Sequence, residues 1–123
     1  MSQVVTYNGI VGYQIEKLRD QRGYDQATLA RKAGLSQPVL SRLEKGVASI
    51  TMDQLFMLAN ALNVSPSEII KEAETNARYF RDYEKIEVLS TKQANSVSSS
   101  GSSNTKAVLT GAAIGVALAM LLS

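Results

Sequence analysis

Residues Asp25 to Gly46 read Asp-Gln-Ala-Thr-Leu-Ala-Arg-Lys-Ala-Gly-Leu-Ser-Gln-Pro-Val-Leu-Ser-Arg-Leu-Glu-Lys-Gly. The pattern predicts two short helices around a tight corner. Asp25 can cap the first, its carboxylate accepting backbone N–H groups that have no partner within the helix. Leu29, Ala30 and Ala33 then fall on one helical face. Gly34 stops that helix, because glycine enters the left-handed conformation without a Cβ clash. Ser36 can cap the second helix, and Pro38 sits in its first turn, where a missing N–H costs nothing. Leu40 and Leu43 point inward, while Pro38, Ser41, Arg42 and Lys45 point outward.

A helix held by an apolar seam and offering an arginine and a lysine outward is the layout of a DNA-reading helix-turn-helix. Gln26-Ala27-x-Leu29-Ala30-x-x-Ala33-Gly34-Leu35-Ser36, followed by Leu40-Ser41-x-Leu43-Glu44-x-Gly46, resembles the phage-repressor and Cro-like (XRE) family. The flanks agree with it. Gly12-x-x-Ile15-x-x-Leu18-Arg19 is similar to that family's first helix, Leu55-x-x-Leu58-Ala59-x-Ala61-Leu62-x-Val64 to its fourth, and Pro66-x-x-Ile69-Ile70 to the start of its fifth. The resemblance covers residues 9 to 72. It implies a five-helix fold, double-stranded DNA as partner, and an ion pair between Arg19 and Glu44 that sets the recognition helix against the first helix.

Side-chain chemistry assigns the roles. Gln37 can bond an adenine or a phosphate, Arg42 can take a guanine in a bidentate fork, and Val39 can touch a thymine methyl. Gln26 and Lys45 are expected on backbone phosphates. Ser36, Pro38 and Ser41 complete the outward set, with Pro38 standing where the family often has a polar reader. After Gly46 the chain departs from the resemblance, which implies a basic residue and a proline; here Ala48 and Ile50 occupy that loop. The expected consequence is modest affinity per subunit.

Composition narrows the chemistry. The chain has 13 Lys and Arg against 11 Asp and Glu, a net charge of only +2, and neither Cys nor His. Attraction to a polyanion must therefore come from local placement, as with Arg31, Lys32, Arg42 and Lys45. Without thiolate or imidazole, no metal site, cofactor or hydrolase-type centre is expected, and no small-molecule ligand is evident, so an enzyme is not expected. The lack of cysteine fits the cytoplasm.

Residues 1–8 form a short arm, frayed or packed, with no secretory pattern. Asn8 is a candidate N-cap for a first helix from Gly9 or Ile10 to Gln21, and Gly23 ends it. Thr51 or Ser49 caps a helix through Asn60. Met52, Phe56 and Met57 lie off its inner stripe, as core edge or as a dimer patch. Ser65, Pro66 and Glu68 open a fifth helix with a capping box. No breaker follows before about Lys92, so residues 73–89 read as a helical extension. It either pairs with a mate through Ile69, Ala73, Phe80 and Tyr83 or stays solvated. Residues 90–106 are Ser-rich and read as a flexible linker.

Residues 107–123 are almost wholly apolar. A helix from Ala107 to Leu122 spans roughly 24 Å at about 1.5 Å per residue, short of a hydrocarbon core of about 30 Å. Ala107, Gly111, Gly115 and Ala119 form a ridge of small residues that suits close packing of membrane helices. The expectation is a single-pass inner-membrane anchor, the lipid bilayer meeting residues 107–122, with the DNA-binding domain cytoplasmic. A soluble oligomerising tail and a hydrophobic stub shielded by another chain are the other readings.

The expected architecture is all-α: a five-helix helix-turn-helix domain with an extended fifth helix, a flexible tether and a C-terminal apolar helix. Three functions are compatible with it. The first is a sequence-specific, homodimeric DNA-binding regulator, tethered or not. The others are a membrane-anchored protein-binding adaptor and an antitoxin-like accessory repressor.

Overall fold

The computed structural model describes residues 3–83, 86–98 and 107–122. In chain order the elements are β1 (Gln3–Thr6), α1 (Tyr7–Gln21), α2 (Gln26–Ala33), α3 (Gln37–Lys45), α4 (Met52–Ala61), α5 (Pro66–Tyr83), β2 (Glu87–Leu89), α6 (Thr91–Ser98), β3 (Ala107–Leu109) and α7 (Ala112–Leu122).

Local chemistry accounts for the helix ends. Asp25 accepts from Thr28 N at 2.7 Å and Ser36 Oγ from Val39 N at 3.3 Å. Hydrogen bonds from Thr28 hold the Asp25 carboxyl below its ordinary pKa. Thr51 and Gln54 exchange reciprocal bonds at the start of α4, and Ser65 Oγ accepts from Glu68 N at the start of α5. Gly34 and Gly46 close α2 and α3 at φ +71° and +77°, a region that costs a side-chain-bearing residue free energy. The α1 cap differs from the sequence expectation: Thr6 Oγ1, not Asn8, accepts from Gly9 N at 2.9 Å. Asn8 is inside the helix and turned to other partners.

The all-α expectation is corrected by a small parallel sheet of order β2-β1-β3. Val4 pairs with Glu87 and Val108, and Val5 with Val88 and Leu109. Residues 3–6, expected as an arm, are thus the central strand. Val4 and Val5 are both fully buried, as alternation across a sheet covered on both faces requires. Val5 joins the main core, and α6 packs against β1 and β2 with Ala94 buried. That helix lies within the expected linker; residues 99–106 lie outside the described residues.

The helical extension is likewise reassigned. α5 continues to Tyr83, but Ile69, Ala73, Ala77 and Phe80 are fully buried in the chain's own core. Ile69, Ala73 and Phe80 of the expected stripe thus serve intramolecular packing, while its fourth member, Tyr83, is 70% exposed.

The structure does not support the membrane-anchor expectation for residues 107–122, on three counts. The segment is divided, Ala107–Leu109 forming β3 and only the 11 residues of Ala112–Leu122 forming α7. Among the described residues no helix is long and apolar enough to cross a membrane. Moreover α7 packs against α1 and α5, with Ile114 at 0% and Leu118 at 3% exposure inside the main core. The apolar run has a protein surface to bury against, because helices α1 to α5 leave the core open on that side. The expected ridge is split too. A Cβ on Gly115 would lie 3.0 Å from the Tyr13 ring, and Gly111 takes φ +53° beside Lys45, while Ala107 and Ala119 are exposed. Its glycines serve contacts within the chain.

Candidate nucleic-acid interface

The position of α3 is set by how closely α1 approaches it. A Cβ on Gly12 would come within 2.1 Å of the Leu43 carbonyl oxygen, and one on Gly46 within 2.4 Å of Gly9 Cα. Only glycine permits these contacts. Sequence reasoning missed Gly9 as part of this set, although Gly9 and Gly12, three apart on one helix, share a face.

An ion pair fixes the same interface from the other side. Arg19 donates from Nε to Glu44 Oε2 at 2.8 Å and from Nη2 to Oε1 at 3.2 Å, while Gln26 Nε2 donates to Oε1 at 2.8 Å. Glu44 is 1% exposed and therefore depends on these three donors. Its hydrogen bond is the main cause that holds the Arg19 guanidinium above its ordinary pKa. Arg19 also donates to the Tyr24 carbonyl at 2.9 Å, tying the α1–α2 turn into the assembly. Glu16, nearby on α1, has its carboxyl pKa raised by burial and then by the Glu44 charge.

Locked in this way, α3 turns Leu40 and Leu43 into the core and leaves Ser36, Gln37, Pro38, Arg42 and Lys45 exposed. Val39 and Ser41 are half-buried, Val39 packing on the core edge. Arg31 and Lys32 add exposed charge in the last turn of α2, Lys32 lying 5.2 Å from the Tyr24 ring centre. Gln26 stands apart from the expectation: one of its amide N–H bonds is taken by Glu44, which leaves one for a phosphate. The structure thus gathers Gln37, Arg42 and Lys45 on one open face and places Gln26 chiefly in its support.

Asn8 is the other residue whose role the sequence did not show. Its Oδ1 accepts from Ile50 N at 2.9 Å, pinning the α3–α4 loop, and its Nδ2 donates to Thr91 Oγ1 at 2.8 Å. Both partners lie more than forty positions away, so no local pattern could have revealed them.

A capped two-helix corner, rigidly backed and presenting an amide, a guanidinium and an ammonium on one face, defines a helix-turn-helix protein. The helix-turn-helix family model matches residues 15–69. An uncharacterized HTH-type transcriptional regulator, y4dJ of Sinorhizobium fredii, is 38% identical over 61 residues, covering 50% of this chain and 79% of that protein. The antitoxin PezA of Streptococcus pneumoniae is 32% identical over 92 residues, covering 72% of this chain and 58% of the antitoxin. Among solved structures, the clp gene regulator ClgR from C. glutamicum is similar with a TM-score of 0.54 and 25% identity over 56% of this chain and 90% of that one. The restriction-modification controller protein C.AhdI from Aeromonas hydrophila gives 0.50 and 29%, over 50% and 94%. The chain belongs to the XRE family of helix-turn-helix regulators.

Proposed function

We propose that this protein is a sequence-specific DNA-binding regulator that reads the major groove with α3. The observation that carries the reading is the exposed set Gln37, Arg42 and Lys45 on a helix whose opposite face is locked to α1. Arg42 supplies the bidentate fork for guanine and Gln37 bonds an adenine or a phosphate. Lys45, at the helix end, takes backbone phosphate without sequence preference. Val39 offers a methyl contact from the flank, and Pro38 adds no polar contact at its base step. Ser36 caps the helix and Ser41 fills its flank. The protein acts as a homodimer on two half-sites about 34 Å apart. Met52 and Phe56, 80% and 56% exposed on α4, give an apolar surface for the second copy.

Selection from a random duplex pool with the whole chain tests this. The expected outcome is a two-fold symmetric consensus. A pool that stays random after enrichment contradicts it.

One observation favours a second reading, an antitoxin-like repressor: the similarity to PezA extends well beyond the residues of the family match. In that case protein isolated from its native host carries a stoichiometric second polypeptide. Isolation of the chain alone, with full affinity for its site, favours the plain regulator.

A further inference from the structure

Beside the C-terminal end of α3, the exposed surface continues onto an element outside the family match. Asn8 holds two walls there, the α3–α4 loop through Ile50 N and the start of α6 through Thr91 Oγ1. Between the walls lies an open concavity of about 480 Å³ lined by Ser49, Thr91, Lys92, Asn95 and Ser96. Its lining is chemically one-sided: an ammonium, three hydroxyls and a carboxamide, with no carboxylate among them. Ser49 lies in the α3–α4 loop three residues past Gly46, the left-handed C-cap of α3, so the concavity is lined in part by the chain that leaves that helix.

The α6 wall starts at a reciprocal side-chain cap. Ser90 and Gln93 exchange bonds across the helix start, Ser90 N donating to Gln93 Oε1 at 2.9 Å and Gln93 N to Ser90 Oγ at 3.1 Å. This sets Thr91 and Lys92 on a capped first turn. Thr91 Oγ1 accepts from Asn8, and so its own proton is directed to another acceptor. The α3–α4 loop, Val47 to Thr51, contains no cation of its own. Lys92 brings one to its side.

We propose that this concavity binds a phosphodiester of the DNA backbone flanking the bases that α3 faces. Lys92 provides the charge, and the Ser49 and Thr91 hydroxyls provide hydrogen bonds. The proposal rests on α3 being the DNA-reading helix and extends the contact beyond the family-matched domain. An exposed cation among hydroxyl groups, in a lining without carboxylates and beside the loop that leaves the groove-facing helix, is suited to a singly charged phosphate.

The test measures affinity of the whole chain for its selected duplex over a series of salt concentrations. Lys92→Ala should lower affinity severalfold on matched and mismatched duplexes alike and reduce the salt slope by about 0.9, one phosphate's worth. Lys92→Arg should restore both. Because Lys92 is exposed, the variant should melt at the wild-type temperature. Arg42→Ala, measured in parallel, reports on the underlying reading by its loss of selectivity. Wild-type slope and affinity in Lys92→Ala, with selectivity lost in Arg42→Ala, overturns the phosphate site alone. Absence of selective binding by the unmodified chain overturns the reading beneath it and the phosphate site together.

Discussion

Replacing Glu44 with glutamine removes one charge and almost no volume, and its effect can be worked out from three hydrogen bonds. The carboxylate is 1% exposed and receives Arg19 Nε, Arg19 Nη2 and Gln26 Nε2 at 2.8, 3.2 and 2.8 Å. In the variant a single amide oxygen faces all these donors, and its NH2 group is turned against one of them. Breaking a buried pair from one side costs about 3–5 kcal/mol. Arg19 keeps its bond to the Tyr24 carbonyl at 2.9 Å and lies 3.5 Å from the exposed Asp20 carboxylate. The lower end, about 3 kcal/mol, is therefore expected. Urea denaturation at neutral pH measures it. In a separate cycle of Arg19→Met, Glu44→Leu and the two combined, the double variant should cost less than the singles sum to, since an apolar pair leaves no buried charge, giving a coupling of about 2–3 kcal/mol. A single-variant cost below about 0.5 kcal/mol, with additive effects in the double variant, would refute the reasoning.

Gly12→Ala drives a Cβ to within 2.1 Å of the Leu43 carbonyl oxygen, so α1 and α3 must separate. Denaturation should show a loss of at least about 1–3 kcal/mol, and DNA affinity should fall with it. Ile114→Ala removes a fully buried side chain of α7 and should cost about 2–5 kcal/mol in thermal unfolding; an unchanged melting temperature would mean that α7 does not pack on α1 and α5. Tyr7 donates to Glu74 Oε1 at 2.6 Å, and burial followed by this bond pushes its pKa up to about 12. The protonated form is the one the fold favours, so the contribution of Tyr7 is complete below its ordinary pKa of about 10. It is lost as pH rises through 12. Phenolate absorbance should show this tyrosine titrating near pH 12, and Glu74→Gln should bring it only partway down, because burial is the larger cause.

Local chemistry was legible and distant pairing was not. Asp25, Gly34, Ser36, Gly46, Thr51 and Ser65 announce helix ends because a cap needs only residues within one turn of itself. Arg19 and Glu44 could be paired because the resemblance links their positions. The sheet could not be read. Val4-Val5-Thr6, Glu87-Val88-Leu89 and Ala107-Val108-Leu109 are each too short to carry a period, and each satisfies its backbone only through partners eighty or more residues away along β1's ladders. The apolar stretch of α7 misled for a related reason. Composition records that Ile114 and Leu118 need burial, yet a core face and a bilayer meet that need equally well. Only the open side of α1 and α5 distinguishes them. On the candidate interface, exposure of Gln37, Arg42 and Lys45 follows from helical spacing. The diversion of Gln26 toward Glu44 requires knowing that the carboxylate is buried.

The central claim is that α3 reads bases through Arg42. The most direct measurement is the affinity of wild type and Arg42→Ala for the selected duplex and for every single-base variant of it, at one fixed salt concentration. Arg42→Ala is expected to lose about 1–3 kcal/mol on the selected duplex and to become indifferent at one base pair while keeping its preferences elsewhere. Equal affinities and an unchanged preference at every position would contradict it.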